Sequence, residues 1–273
     1  MKTSRMETWV GYVMLAVLAL GILVPFSSIL LAAFNPPNTA LTGMAWPSRF
    51  SWGNIAAAWR DGHFATLMTA SVKVELIVVP LSLVLASLGG YALGAMRTPL
   101  SRLWKVLFLL GMTLPIEVVI VPLYFDLRSL GWTDSLVTVG LVESGAFLPF
   151  GVYWMRTHFA GVPTEIVEAA SMDGAGPWRM LTRVHLPMAV APLTTLGVIY
   201  FMWCWNQFLL VLTIISDPNK RTAPAGLGFF VGPHSMDIPM LSAATLIVIM
   251  PVVVVYLIFQ RKFIAGMLQG ASR

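Results

Sequence analysis

Six separate stretches of this chain are apolar for the length of a membrane-spanning helix, and no other feature restricts its fold as strongly. A bilayer core about 30 Å thick needs about 20 helical residues at 1.5 Å each. The segments Trp9–Phe34, Thr69–Met96, Leu103–Leu123, Ser135–Met155, Pro187–Ile215 and Met240–Phe259 meet that length. None shows the alternation of a lipid-facing barrel strand, so each is predicted to be a helix. Composition agrees: 58% of the 273 residues are hydrophobic and 11% charged, against about 45–50% and about 25% in a soluble domain. The first run exceeds the apolar core of a secretory signal, about 7–15 residues, and reads as an uncleaved span. The expected fold is all-α integral membrane, with six transmembrane helices in a single domain over residues 1–273.

The basic residues orient this bundle. With the N-terminus inside, Lys2, Arg5, Arg97, Arg102, Lys105, Arg156, Arg179, Arg183, Arg261, Lys262 and Arg273 fall on the cytoplasmic side. Arg49, Arg60, Arg128, Lys220 and Arg221 fall outside, and Lys73 lies near the start of the second span. Eleven against five favours both termini inside. The net charge of +5 therefore records topology, where in a soluble chain it would suggest nucleic acid.

The inner loop between the fourth and fifth spans, residues 156–186, is the informative polar segment. Pro163 or Thr164 can start a helix, with Glu165 and Glu168 near its positive end. Ile166, Ala169 and Ala170 then share one face, and Glu165, Glu168 and Met172 project elsewhere. Gly174 suits the left-handed stop, and Pro177 can open a second short helix. On that second helix Trp178, Leu181 and Val184 fall on one side, and Leu186-Pro187 leads into the fifth span. Physics alone favours a solvated interfacial loop here over a docking surface.

The spacing Glu168-Ala169-Ala170, three residues, Gly174, nine residues, Val184, one residue, Leu186-Pro187 resembles the EAA motif of ABC importer permeases. Only Val184 departs, standing where isoleucine is usual. The likeness extends to the carbohydrate-type, maltose-permease-like branch. It is carried by Ser87-Leu88-Gly89-Gly90-Tyr91-Ala92-Leu93, by Leu114-Pro115 with Val121-Pro122-Leu123-Tyr124, and by Trp205-Asn206-Gln207-Phe208. The tail Gln260 to Gly266 with Gly270-Ala271 also fits. Gln207 departs from the usual acidic residue at its position.

The resemblance implies an ABC type I importer transmembrane domain in a bacterial inner membrane, with a cytoplasmic coupling helix contacting an ATPase through Glu168, Ala169, Ala170, Asp173 and Gly174. It implies four kinds of partner: a second related permease, two copies of an ATP-binding subunit, an extracytoplasmic solute-binding protein, and lipid. The solute-binding protein would meet outer loops including Gly43–His63 and Asp217–Asp237. The cargo would be a carbohydrate or sugar-like solute moved by alternating access. A non-sugar substrate such as a glycerophosphodiester is an alternative, as is a secondary transporter or channel acting without an ATPase.

No catalytic machinery is legible. The phosphate-loop pattern Gly-x4-Gly-Lys-Ser/Thr is absent from the sequence, so ATP and Mg would be bound by the partner ATPase and this chain would hold no cofactor. His63, His158, His185 and His234 lack metal-ligand spacing, and Cys204, between Trp203 and Trp205, reads as a packed small thiol. Polar residues inside spans are the remaining candidates, because hydrocarbon penalises them. Glu117 follows Pro115, a residue expected to kink the third span. Glu143 lies inside the fourth, and Asn206 and Gln207 lie in the fifth beside Trp203 and Trp205. Hydrogen-bonding groups beside aromatic planes suit a sugar pathway, while polar packing between helices accounts for Asn and Gln equally. Two intramembrane carboxylates raise the further expectation of a cationic group on the substrate. Lys73 and Glu75 are read as snorkelling from the outer end of span two.

Overall fold

The computed structural model describes residues 5–96, 98–232 and 236–271. Lys2, Arg97, His234 and Arg273, and the side chains of Lys262 and of the tail signature beyond it, lie outside the described residues. The α-helices among the described residues are α1 (Arg5–Ala33), α2 (Asn54–Asp61), α3 (Phe64–Gly94), α4 (Ser101–Thr113), α5 (Ile116–Ser129) and α6 (Leu136–Phe159), then α7 (Thr164–Met172), α8 (Pro177–Met180), α9 (Leu186–Met188), α10 (Val190–Trp205), α11 (Leu209–Ile214), α12 (Ala223–Gly226) and α13 (Ile238–Ala271). Four helices are long and apolar enough to cross a membrane, and two bent pairs bring the number to six if each pair is one span. The four long helices overlap the first, second, fourth and sixth segments; the bent pairs overlap the third and, displaced toward the N-terminus, the fifth, with two corrections to their shape.

The third segment is a broken span. Proline disfavours helical backbone at the residue before it, and Leu114 accordingly adopts φ −82°, ψ 116°. Pro115 is extended as well, and α4 and α5 meet there at 96°. The kink expected of Pro115 is thus a full break.

The fifth segment is interrupted twice. Pro187 has no N–H to donate toward Arg183, and the chain passes through a π-turn, Leu181–His185, before α9. It then bends by 78° into α10, which ends at Trp205, and α11 resumes at Leu209.

Contacts divide the chain into two compact units, Met1–Ala65 with Gly226–Met250, and Thr66–Ala225 with Pro251–Arg273. In the first, α1 exposes apolar residues around its whole circumference, from Trp9 to Leu30. Its C-terminal carbonyls are closed by amide side chains. Asn54 Nδ2 donates to Ala33 O at 2.9 Å and Asn35 O at 2.7 Å, and Asn35 Nδ2 donates to Leu31 O at 3.0 Å. In the same unit Asp237 caps α13, accepting from Met240 N at 3.1 Å and from Asn38 N at 3.2 Å.

In the second unit, close packing of small residues joins α3 to α6. Lipid offers apolar groups no worse an environment than a neighbouring helix does, so van der Waals fit drives association. Gly89, Gly90 and Gly94 lie against Val152, Met155 and Arg156; a Cβ on Gly90 would stand 2.5 Å from Met155 Cβ and 2.8 Å from Arg156 N. The Gly89-Gly90-Tyr91 signature is therefore a contact surface. Tyr91 continues it, stacking edge-on with Phe159 and His185 and donating its hydroxyl to Pro177 O at 3.0 Å. Glu75 departs from the snorkelling expectation: it is buried, facing Glu143 and Cys204 inside the bundle.

The turn before α6 is held by one carboxylate. Asp134 has φ 57°, and its Oδ1 accepts from Ser216 N at 2.7 Å and Asp217 N at 3.1 Å. Those two amides hold its pKa below the ordinary value. A group so lowered stabilises the fold above its unfolded pKa and loses that contribution as pH falls through the folded one. The melting-temperature difference between the native chain and Asp134→Asn is expected to be full at neutral pH and to shrink below about pH 3.9, the usual aspartate value. Gly90→Val is expected to cost about 1–3 kcal/mol through overpacking, read as a lowered unfolding midpoint in detergent.

Candidate functional site

The EAA segment forms the expected elbow. Helix α7 ends in a Schellman motif, with Ala175 N donating to Ala170 O at 3.0 Å and Gly174 N to Ser171 O at 3.0 Å. That closure needs the left-handed conformation, and Gly174 supplies it with φ +75°. Glu165, Glu168, Ala169, Met172, Asp173 and Gly174 are exposed. The inward face differs from the expected one: Val167 and Ala170 pack on the buried cluster of Phe159, Met180 and Leu181, while Ile166 and Ala169 face outward. The second helix splits its expected face in the same way. Leu181 is buried and Trp178 is 69% exposed, so an apolar ring stands beside the carboxylates on an open surface.

A second feature lies within the bundle. A cavity of about 250 Å³ is lined by Gly111, Met112, Leu114, Ile116, Glu143, Ala146, Phe147, Pro149, Phe150, Trp203, Gln207 and Leu210. It sits at both helix breaks, Leu114-Pro115 and Asn206–Phe208. Gln207 holds the second break together: its Oε1 accepts from Phe208 N at 3.1 Å and lies 3.5 Å from Leu210 N. These are the free amides at the start of α11, which hydrocarbon would leave without a partner. The aromatic wall is continuous, with Trp203 5.5 Å from Phe147 and 4.9 Å from Phe150, ring centre to ring centre.

Of the six pathway candidates, the cavity brings together Glu143, Trp203 and Gln207. Trp205 is buried and stacks on Phe201 at 5.6 Å. Asn206 is exposed, and its amide turns back to Met202 O at 2.7 Å. Glu117 is exposed and outside the lining, although its neighbour Ile116 belongs to it. Phe147 and Phe150 were not singled out from sequence. The signal was available: Glu143, Phe147 and Phe150 stand at i, i+4 and i+7, one face of a helix.

A helical membrane bundle with an exposed elbow and a cavity at the breaks of two spans has the build of a transport subunit. The chain belongs to the family of ABC importer permeases described as binding-protein-dependent transport system inner membrane component, whose pattern matches residues 79–269. It is 29% identical over 275 residues to the diacetylchitobiose uptake system permease protein NgcG of Streptomyces coelicolor, covering 100% of this chain and 91% of that one. It is 28% identical over 253 residues to the trehalose transport system permease protein SugB of Mycobacterium tuberculosis, covering 92% of each. Its fold is similar to a chain in the crystal structure of a bacterial ABC transporter involved in the import of the acidic polysaccharide alginate. That likeness has a TM-score of 0.79 at 21% identity and covers 96% of this chain and 99% of that one.

Gln207→Leu keeps the side-chain volume and removes the acceptor. Loss of a helix cap costs about 0.5–2 kcal/mol, and the absence of water at this depth places the expected loss at the upper end. A lowered unfolding midpoint checks it; an unchanged one would show that the amides of Phe208 and Leu210 find another partner.

Proposed function

We propose that this chain is one of two related permease subunits in an ATP-driven importer of a saccharide, working by alternating access. The observation that carries this reading is the connection between its two sites. The exposed elbow runs from Glu168 through Gly174, α8, the π-turn and α9 directly into α10, which bears Trp203 on the cavity wall. A push on the elbow is thereby applied to a helix that lines the transport path. Closure of two ATP-binding subunits, which hold the ATP and Mg, supplies the push. Both termini are cytoplasmic in this reading, on the basic-residue count.

The residues that meet the ATPase are Glu168, Ala169, Ala170, Asp173 and Gly174, all on or beside the exposed turn that ends α7. A solute-binding protein delivers cargo to the outer loops, including Gly43–His63 and Asp217–Asp237. The saccharide assignment draws on the named substrates of NgcG and SugB. It is supported by a cavity that sets a carboxylate and an amide among Phe147, Phe150 and Trp203, a combination suited to hydroxyls on one side and a ring face on the other. An effector shifts a two-state equilibrium only through contacts that differ between the states. The elbow must therefore grip the ATPase differently in the inward- and outward-facing forms.

In proteoliposomes bearing the assembled importer, Glu168→Lys and Gly174→Val are expected to reduce ATP-driven uptake to background while the chain remains inserted. A Cβ at Gly174 meets nothing within 4 Å, so valine acts through backbone strain of about 1–2 kcal/mol and through bulk toward the partner. Native uptake by both variants would remove the coupling assignment, and uptake by this chain alone without an ATPase would remove the importer.

A further inference from the structure

We propose that the segment Met44–Trp52, which follows α1, is an interfacial anchor seated in the headgroup layer of the leaflet where α1 ends. Trp46, Phe50 and Trp52 lie against the lipid, and Arg49 reaches its phosphates. The inference goes beyond the transport reading: it gives this part of the loop Gly43–His63 to lipid and leaves the rest for a solute-binding protein. Four aromatic rings form one cluster here. Phe34, the first residue after α1, lies 4.8 Å from Trp52, ring centre to ring centre. Trp52 stacks on Phe50 at 5.7 Å, and Phe50 meets Trp46 edge-on at 6.4 Å. These rings do not form a core: Trp46 is 74% exposed, Trp52 72% and Phe50 42%. A contiguous exposed apolar patch marks an interaction surface.

Depth, continuity and charge together name lipid as the occupant. The apolar run of α1 covers Thr8–Ala33, 26 residues, and about 20 fill the hydrocarbon core. The surplus of about six residues reaches into a headgroup layer about 5–7 Å deep. The chain after α1 doubles back along that same stretch. Ser28 Oγ donates to Gly43 O at 3.4 Å, Asn35 Nδ2 to Ala45 O at 3.3 Å, and Ser51 N to Phe34 O at 2.8 Å. Ser28 stands about 7.5 Å along the helix before Ala33, so Gly43 returns to the level where hydrocarbon meets headgroups. The surface there is already a lipid face, because α1 exposes Phe26 and Leu30 beside it, and the ring cluster prolongs it. From Phe34 to Arg60 the sequence holds two arginines, Arg49 and Arg60, and no Asp or Glu. Arg49 is exposed between the two tryptophans. Tryptophan suits this layer with an apolar body and a polar edge, and arginine with an apolar stem and a head that reaches anionic phosphates.

The test places a nitroxide spin label on Trp46→Cys or Trp52→Cys in the full chain, purified with the subunits that accompany it. Each preparation is reconstituted in vesicles of phosphatidylethanolamine and phosphatidylglycerol. Native Cys204 is buried, and the unsubstituted chain serves as the labelling blank. Collision with oxygen, which concentrates in lipid, is compared with collision with a water-soluble nickel chelate. Free label in buffer and a label on Leu20→Cys, within α1, set the two ends of the scale. At both positions the oxygen-to-nickel ratio is expected to exceed that of free label severalfold and to fall below that of Leu20→Cys. Adding Arg49→Glu to Trp52→Cys is expected to lower the ratio in these vesicles, and to lower it less in phosphatidylcholine alone. A ratio equal to that of free label would give the patch to a water-borne partner, and weak collision with both reagents would give it to another subunit. Either result overturns the proposal, as does a ratio indifferent to Arg49→Glu in both kinds of vesicle. None of these readings requires transport, so a failure of uptake leaves them intact.

Discussion

Every peptide group that leaves a helix inside hydrocarbon must find another partner, because water is absent there. This chain leaves its helices at the α9–α10 bend and at two further places, Leu114-Pro115 and Asn206–Phe208, and the cavity forms around how those two breaks are satisfied. At the first, proline contributes no N–H, so the break opens with one fewer donor to place. At the second, Gln207 accepts from Phe208 N and lies within reach of Leu210 N, and Asn206 donates back to Met202 O. Irregular backbone at this depth is tolerated where it lines a cavity, and the cavity between Leu114, Glu143 and Gln207 is found at these two places. Site and strain have a common origin.

The rest of the second unit keeps that arrangement rigid enough to transmit motion. Glycines on α3 bring its backbone against Met155 and Arg156 of α6, leaving no soft layer of side chains between the two helices. Tyr91, Phe159 and His185 interlock edge to edge at the base, and Tyr91 is tied by hydrogen bond to Pro177 at the start of α8. The elbow therefore stands on the same ring cluster that anchors α3 and α6. Displacing it means moving α8 to α10 as a body or breaking packed aromatic contacts, and the π-turn at Leu181–His185 is where the helix is loosest.

Much of this was legible from residue order. Apolar length located the four long helices and the two bent pairs, which make six if each pair is one span, since the bilayer sets one number for each of them. The elbow was legible because its stop depends on one local requirement, positive φ at Gly174, which residue type reveals directly. Which face of α7 turns inward was not legible. Val167 with Ala170 and Ile166 with Ala169 are equally good stripes by spacing, and the choice is made by Phe159, Met180 and Leu181, distant in the chain. Pro115 signalled a kink without its size. The role of Gln207 was hidden for a different reason: a polar side chain in a span reads alike whether it faces a cavity, a neighbouring helix or its own backbone, and here it lines the cavity and caps its own backbone at once. Glu75 was misplaced because depth along a span was judged from sequence position, while burial depends on the rotation of α3 against α6.

The substitution of Gln207 for the acidic residue usual at its position follows from the charge already present. Either side chain can accept from the amides that open α11. A glutamate would add a third carboxylate to a region where Glu75 and Glu143 already lack counter-charges. Glutamine keeps the acceptor and adds an amide group to the cavity lining without adding another ionisable group. The same exchange lets Gln207 close the backbone break without setting another carboxyl beside Glu143, whose own oxygens are buried and without a partner among the described residues.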